Sequence, residues 1–232
     1  NTGLHAGEIG WHSGPFMAAA DAFLIVVKGR GSHGARPCLG ADPVLAASAI
    51  VVAAQGIVSR RVDISKHPAV LSFGALRAGN RANIIPDSAE LIGTIRTFDP
   101  NMREQIFAEL KRVASHVAQA HDSSAEVTVP DGDSLPTVVN DPALLARSLP
   151  ALQGAGAGTV REIGVSNGAA TSAIYAQQVP SLFVYVGATA PGLDPATAPS
   201  NHSPHFALDE GALRTGRRAL LALALNALGA AP

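Results

Sequence analysis

The sequence has few of the residues that several classes of protein depend on. Only one of its 232 residues is cysteine, Cys38, so an intrachain disulfide framework and a cysteine-rich zinc module are both excluded. Aromatic residues make up 4% of the chain, which argues against a stacking surface for single-stranded nucleic acid. Lys and Arg (17) are balanced by Asp and Glu (18), so no basic field exists to hold a nucleic-acid backbone.

Signals for export and membrane insertion are also missing. The N-terminus shows no charged-then-apolar signal peptide, and we find no run of about 18 apolar residues that would span a bilayer. The hydrophobic fraction of 47% excludes a disordered chain and suffices for a substantial core. We therefore expect a folded, cytoplasmic protein that binds neither nucleic acid nor membranes. Because the chain starts as if inside a domain, we also expect it to be part of a longer gene product.

The first half of the chain predicts a ferredoxin-like βαββαβ unit. The pattern predicts strands over 16–28, 69–76, 88–98 and 126–129, and helices over 42–58 and 99–120. Both helices open with an Asp-Pro pair, in which Asp caps the helix and Pro takes the first helical position.

The second half of the chain predicts a different order of elements. Short helices over 141–148, 171–177 and 208–227 alternate with strands over 160–163 and 182–186. This alternation predicts part of a mostly parallel α/β sheet. Two strands are too few for a free-standing sheet, so residues 1–14 are expected to join it.

Three histidines lie in loops that suit chemistry. His33 lies in a glycine-rich loop over 29–37, where small neighbours let a substrate or another chain approach closely. His202 and His205 precede the last helix, where loop histidines serve as metal ligands or acid–base groups. From composition alone, surface-loop and helix-capping roles are equally open.

Ser166 offers a different reading. It lies in Gly164-Val-Ser-Asn-Gly168, which matches the G-x-S-x-G elbow of serine hydrolases, and Asp194 and His202 follow in the order of that family. The motif is short enough to occur by chance in a glycine-rich chain.

Several segments, taken in order, resemble one known family. They are Gly3-Leu-His5, Gly14-Pro-Phe-Met17, Gly31-Ser-His33-Gly-Ala-Arg-Pro37, Gly40-Ala-Asp42-Pro43, Asn83-Ile-Ile-Pro86-Asp87, Gly93-Thr-Ile-Arg96 and Asn201-His202-Ser-Pro204. Together they resemble the aminoacylase-type dimetal amidohydrolases and metallopeptidases, in the branch of hippurate and indole-acetyl-amino-acid hydrolases. The resemblance implies a zinc-peptidase-like α/β catalytic domain interrupted by a ferredoxin-like lid that also forms the dimer. On that basis residues 1–14 end the first catalytic segment, 15–128 form the lid, and 129–232 return to the catalytic domain.

The resemblance also implies roles for five residues. His5 and His202 match two histidine ligands of a pair of divalent metals, Zn, Mn or Co. His33 matches a lid histidine that stabilises the oxyanion in the partner subunit's site. Asn83 and Arg96 match lid residues that hold the substrate, and the weaker match is Arg96, for which a salt bridge on the sheet surface is the alternative.

The chain departs from the family pattern in two respects. It lacks the family's His-x-Cys-Gly-His-Asp motif and Glu-Glu pair, and it has Ala170-Thr171-Ser172 where Glu-Asp-Phe is usual. A stable site needs three or four ligands per metal ion, so His5 and His202 form an incomplete set. We therefore expect the isolated chain to be inactive.

The predicted function is metal-dependent hydrolysis of the amide bond of N-acyl amino acids or small peptides. The parent enzyme would be a homodimer, to which this chain contributes the lid and the C-terminal half. Two alternatives stay open: a non-catalytic dimerisation or ligand-binding module, and a serine hydrolase acting through Ser166.

Overall fold

The computed structural model describes residues 1–130, 132, 134–154 and 159–229. The strands are β1 (Ile9–Trp11), β2 (Gly14–Met17), β3 (Ala19–Lys28), β4 (Ser32–His33), β5 (Ala69–Ala78), β6 (Ile84–Ile85), β7 (Ser88–Thr97), β8 (Ser124–Thr128), β9 (Ser134–Leu135), β10 (Val138–Asn140), β11 (Val160–Glu162) and β12 (Tyr185–Val186). The helices are α1 (Pro43–Arg60), α2 (Pro100–Gln119), α3 (Pro142–Gly154), α4 (Ser172–Ala176) and α5 (Gly211–Ala227).

These elements divide into two compact units. The inserted unit comprises residues 17–137 together with 167–170, and the split unit comprises 1–16, 138–166 and 171–232. The sequence placed the boundaries at residues 15 and 129. The second boundary differs because β9 pairs with β3, which keeps residues 134 and 135 in the inserted unit.

The inserted unit is the predicted ferredoxin-like fold. Its sheet has the order β5-β7-β3-β8, and each neighbouring pair is antiparallel. β3 and β7 pair along their whole length, from Ala19 opposite Thr97 to Lys28 opposite Ser88. The two-residue strand β9 extends the sheet beside the start of β3.

The core of the inserted unit lies between this sheet and the two long helices. Alternate residues of β3 are fully buried, among them Phe23 and Ile25, as expected for a strand with one face on a core. Ile50 of α1 and Leu110 of α2 pack against them. This packing places both helices on one face of the sheet.

Both predicted helix caps are confirmed. Asp42 Oδ1 accepts hydrogen bonds from the N–H groups of Val44 and Leu45, at 2.8 and 3.2 Å. Asp99 Oδ1 accepts one from the N–H of Met102 at 2.8 Å. Because the first N–H groups of a helix have no intrahelical partner, these bonds fix where each helix begins.

Helix α1 is apolar enough, and at 18 residues long enough, to cross a membrane, contrary to the sequence-based expectation. Its residues Ala46, Ala47, Ile50, Ala54 and Ile57 are nevertheless buried against the sheet of the inserted unit. A helix packed in this way has the burial expected of a core helix.

The split unit contains a small mixed sheet. β1 lies at its centre, parallel to β11 and antiparallel to β12. Residues 1–14 thus contribute a strand, as predicted, but the described sheet is not mostly parallel. β12 is only two half-buried residues long, shorter than the buried strand predicted over 182–186. Ile9, Leu152 and Ala219 form a small core between β1, α3 and α5.

A buried asparagine joins three segments of the split unit. The Asn140 side-chain amide donates to the carbonyl oxygens of His12 and Phe183 at 2.8 and 2.9 Å. Its Oδ1 accepts the Phe183 N–H at 2.6 Å. Since Asn140 is fully buried, every polar atom of its side chain is paired where water does not reach.

A buried ion pair plays the same part in the inserted unit. The Asp21 carboxylate on β3 is fully buried and accepts hydrogen bonds from Arg103 Nε at 2.7 Å and Nη2 at 2.6 Å. Ser134 of β9 donates to the same carboxylate at 2.6 Å and accepts a bond from Arg103 at 2.8 Å. The hydrogen bonds to Asp21 raise the pKa of Arg103. The three side chains tie β3, α2 and β9 together.

Candidate functional site

Two predicted site residues meet on one short ribbon in the inserted unit. Strands β4 and β6 pair antiparallel, with His33 opposite Ile84. Beyond this pair, the N–H of Gly34 donates to the carbonyl oxygen of Asn83 at 2.8 Å. A Cβ atom at position 34 would lie 3.2 Å from the Asn83 backbone, closer than side chains usually allow. Glycine therefore lets the segments of His33 and Asn83 approach each other.

The tautomer of the neutral His33 ring is set by the adjacent backbone. The His33 side chain is exposed, and its Nδ1 accepts a hydrogen bond from the N–H of Ala35 at 3.0 Å. An acceptor Nδ1 carries no proton, so in the neutral ring the proton lies on Nε2. His33 therefore presents an N–H donor at the outer end of the ring.

Arg96 lies elsewhere on the same unit. It is half-buried on β7, opposite Ala20 of β3, and it lines a shallow pocket of about 260 Å³ with small residues, including Ala22 and Thr94. Its eight-residue distance from Ser88, where β7 leaves the ribbon, corresponds to about 27 Å along an extended strand. Within one chain the structure therefore does not bring Arg96 together with His33 and Asn83.

His5 is held in the split unit. Its main chain forms a bridge with Thr189, and its N–H donates to Glu8 Oε2 at 2.8 Å. A Cβ atom on Gly187 would collide with the His5 carbonyl, so this contact also requires glycine. Glu8 was not predicted from the sequence, and its position three residues after His5 was the only available signal. Glu8 also pairs with Arg161 at 3.4 Å.

The ring of His5 has an unsatisfied nitrogen. Its Nδ1 is buried and has no hydrogen-bond partner among the described residues. Buried polar atoms are rarely left unpaired, because each costs free energy to remove from water. Coordination to a metal ion would satisfy this nitrogen, so His5 fits the role of a single ligand.

His202 has an unusual backbone. Its φ is +81°, a conformation that costs strain in a residue other than glycine, and its side chain is exposed in the loop before α5. Across the part of the chain that the structure describes, no three His, Cys, Asp or Glu side chains lie close enough to hold a metal ion. His5 and His202 can thus supply ligands, but these residues do not assemble a whole site.

Ser166 is not on a nucleophile elbow. Such an elbow is a sharp turn directly between a strand and a helix, whereas nine residues separate the end of β11 at Glu162 from the start of α4 at Ser172. The Ser166 Oγ accepts a hydrogen bond from the Tyr185 hydroxyl at 3.1 Å. The geometry therefore does not support the serine-hydrolase reading.

Known proteins similar to this chain agree on its family. Residues 18–122 match the M20 peptidase dimerisation domain. N-acetylcysteine deacetylase from Bacillus subtilis is 35% identical over 97% of this chain. Thermostable carboxypeptidase 2 from Saccharolobus solfataricus is 33% identical over 95% of it. These matches cover 56% and 55% of the two relatives, so the chain spans about half the length of the curated relatives it matches.

The fold is shared with solved structures. The crystal structure of the Bacillus subtilis YXEP protein, described as a dinuclear metal-binding peptidase of the M20 family, has a TM-score of 0.74 and 30% sequence identity to this chain. The match covers all of this chain and 56% of that one. These comparisons confirm the resemblance to aminoacylase-type amidohydrolases. The chain belongs to the M20 family of peptidases and amidohydrolases, and its inserted unit is the dimerisation domain of that family.

Proposed function

We propose that the protein carrying this chain is a homodimeric, metal-dependent amidohydrolase that cleaves the amide bond of N-acyl amino acids or small peptides. The names of its relatives support this proposal: an N-acetylcysteine deacetylase, a carboxypeptidase and a dinuclear metal-binding peptidase. In the proposal, this chain contributes the dimerisation unit and part of the catalytic unit.

The observation that carries the proposal is the hydrogen bond from Ala35 to His33. Amide hydrolysis develops negative charge on the carbonyl oxygen, and a fixed donor aimed at that charge lowers the barrier. Because the Ala35 N–H occupies Nδ1, His33 keeps its proton on Nε2 and can donate it as a hydrogen bond. In the proposal, this donor serves the site of the partner subunit, beside Asn83.

The metal ligands come from the split unit. Two divalent ions, Zn, Mn or Co, would supply an activated water and polarise the amide carbonyl when bound. His5 would hold one ion through its buried Nδ1, and His202 would provide a second ligand from its loop. Glu8 fixes the main chain of His5, and so keeps the ring in place.

Asn83 and Arg96 are proposed to bind the substrate. A side-chain amide both donates and accepts, which suits the amide group of an N-acyl amino acid. The guanidinium of Arg96 matches a carboxylate in a bidentate manner, and its pocket, lined by small residues and by Asp21, whose charge is paired with Arg103, leaves room for one. Because about 27 Å of extended strand separates Arg96 from the ribbon, Asn83 and Arg96 of one chain would contact different substrate molecules.

The test is a comparison of two histidine variants in the protein that carries this chain. With a divalent metal present, N-acetyl amino acids should be hydrolysed, and a chelator should stop the reaction. His33→Ala should lower kcat by about 100-fold or more, as for loss of one oxyanion donor. His116→Ala, which changes an exposed histidine on α2, is the matched control and should keep full activity. Equal kcat in the two variants would overturn the role of His33.

A non-catalytic dimerisation or ligand-binding module is the second candidate. It is favoured by the observation that the described residues bring no three metal-binding side chains together. A protein of this kind would bind no metal in stoichiometric amount and would hydrolyse none of the N-acetyl amino acids. Metal content therefore separates the two candidates.

A further inference from the structure

The ribbon that carries His33 and Asn83 is strongly cationic. We define the cationic ribbon as residues 29–41 and 76–86, which include β4 and β6. It contains the four arginines Arg30, Arg36, Arg77 and Arg81 and no Asp or Glu, although the whole chain has 17 basic and 18 acidic residues. This concentration of one sign of charge requires an explanation.

Two of these arginines have an acceptor or an opposite charge nearby within the chain. Arg30 donates to the carbonyl oxygens of Leu39 and Gly40, at 3.2 and 3.4 Å. Arg77 on β5 lies opposite Glu90 on β7 in the sheet register. The guanidinium of Arg30 is thus bound to the main chain, and Arg77 lies across from a residue of opposite charge.

Arg36 and Arg81 are different. Both are exposed, and neither side chain forms an ion pair or a hydrogen bond with any residue that the structure describes. An exposed arginine can be unpaired without cost, so this alone assigns no role. What sets Arg36 and Arg81 apart is their position next to the predicted site residues.

Each free arginine is one tight turn away from a predicted site residue. The N–H of Arg36 donates to the carbonyl oxygen of His33 at 2.7 Å. The carbonyl oxygen of Arg81 accepts the N–H of Ile84 at 3.3 Å, which closes a turn that contains Asn83. The backbone therefore holds the main chain of one arginine beside His33 and that of the other beside Asn83.

The acidic residues nearest in sequence bind main-chain N–H groups rather than these two arginines. Asp42 accepts the first N–H groups of α1, and Asp87 accepts the N–H of Gly31 at 2.7 Å. Neither forms an ion pair with Arg36 or Arg81 in the described part of the chain. Neither of these two carboxylates therefore occupies the guanidinium of Arg36 or of Arg81.

We infer that Arg36 and Arg81 form a subsite for a second carboxylate of the substrate. The inference rests on the proposed function, since it takes His33 and Asn83 as residues that face the substrate. Two guanidinium groups match a carboxylate through charge-assisted hydrogen bonds, which are stronger than neutral ones. The enzyme then prefers dianionic N-acyl amino acids over analogues in which the second carboxylate is an amide.

Two pairs of substrates test this preference at constant shape. N-acetylglutamate and N-acetylglutamine place the extra charge on the amino-acid side. N-succinylalanine and its terminal amide, N-succinamoylalanine, place it on the acyl side. Steady-state kinetics of the whole, metal-loaded protein that carries this chain would be measured for wild type, Arg36→Gln, Arg81→Gln and the control Arg60→Gln. Arg60 is an exposed arginine at the end of α1, outside the ribbon.

In wild type, kcat/KM should be about tenfold or more higher for the acid than for the amide of at least one pair, as expected for one charged hydrogen bond. Arg36→Gln and Arg81→Gln should each remove most of this ratio by lowering kcat/KM for the acid while leaving kcat/KM for the amide unchanged. Arg60→Gln should leave the ratio as it is. The pair that responds tells which side of the substrate reaches the ribbon. Hydrolysis of all four substrates with unchanged ratios in both variants would overturn the inference and leave the proposed function standing. Hydrolysis of none would overturn both.

Discussion

The N–H of Ala35 donates to Nδ1 of His33 at 3.0 Å, so the main chain determines which nitrogen of this ring carries the proton. In many histidine sites a carboxylate or a carbonyl oxygen orients the ring by accepting a proton from one nitrogen. Here an amide donor occupies that nitrogen instead. The opposite nitrogen is therefore held as a donor by a loop only three residues long.

This relationship predicts the tautomer of His33 in solution. In the chain labelled with ¹⁵N, the neutral His33 ring should show its proton on Nε2. Ala35→Pro removes the amide donor and should reduce this preference and lower kcat, whereas Ala35→Ser keeps the donor and should change neither. A His33 ring with its proton on Nδ1 in the unchanged chain would contradict the assignment.

The buried ion pair predicts a large cost for a single change. Asp21→Ala leaves the guanidinium of Arg103 and the hydroxyl of Ser134 without their shared partner, and should cost about 3 kcal/mol or more of the free energy of unfolding. Denaturant unfolding of the wild type and of Asp21→Ala, followed by a signal from the inserted unit, would measure this difference in the free energy of unfolding.

An ion pair of the same length that is more open to solvent provides the control, and its Glu109 also lies 3.8 Å from Arg61 Nε. Arg112 Nη2 lies 2.6 Å from Glu109 Oε2, as Arg103 Nη2 does from Asp21 Oδ1. Because solvent screens exposed charges, Glu109→Ala should cost less than about 1 kcal/mol. Equal costs for the two variants would show that burial of Asp21 does not decide the strength of its pair.

Asn140 predicts a loss of stability in the split unit. Asn140→Asp keeps the shape but can no longer donate to the carbonyl oxygens of His12 and Phe183, and it buries a charge. The cost should be about 2 kcal/mol or more, since each buried unpaired polar group costs about 1–3 kcal/mol. Asn226→Asp, which alters a half-buried side chain with one bond of 3.4 Å, should cost far less. An equal drop in Tm for the two variants would contradict the role of Asn140.

Metal content tests the ligand set. Because the described residues bring no three metal-binding side chains together, the 232-residue chain purified without chelators should contain close to no bound Zn, Mn or Co. It should also hydrolyse no N-acyl amino acid. Elemental mass spectrometry would measure the metal content. About two ions per chain would mean that this chain builds a full site from ligands not identified above.

Much of the inserted unit could be predicted from the sequence because its signals are local. Asp-Pro pairs mark the starts of α1 and α2, and alternation over ten residues marks β3 and β7. β1, β2 and β10 of the split unit were not predicted, since strands of three or four residues are too short to show a period. Their pairing depends on partners more than a hundred residues away.

The candidate site could be predicted only in part, and for the same reason. Motifs identify His33 and Asn83. Gly34, which directly follows His33, is consistent with the close approach of their two segments. No sequence signal shows that Ala35 fixes the tautomer of His33, that Glu8 holds the main chain of His5, or that Arg96 lies far along β7 from the ribbon. These features arise from backbone geometry, which the residue pattern does not contain.

We propose that His33 acts on a metal site in the partner subunit, and mixed dimers distinguish this from action within one subunit. His33→Ala and His202→Ala should each inactivate the homodimer. When the two variants exchange subunits, a mixed dimer has one site with an intact His202 and an intact His33 from the other subunit. The account predicts that activity returns to about a quarter of the wild-type level after statistical exchange. A mixture that forms mixed dimers and stays inactive would contradict it.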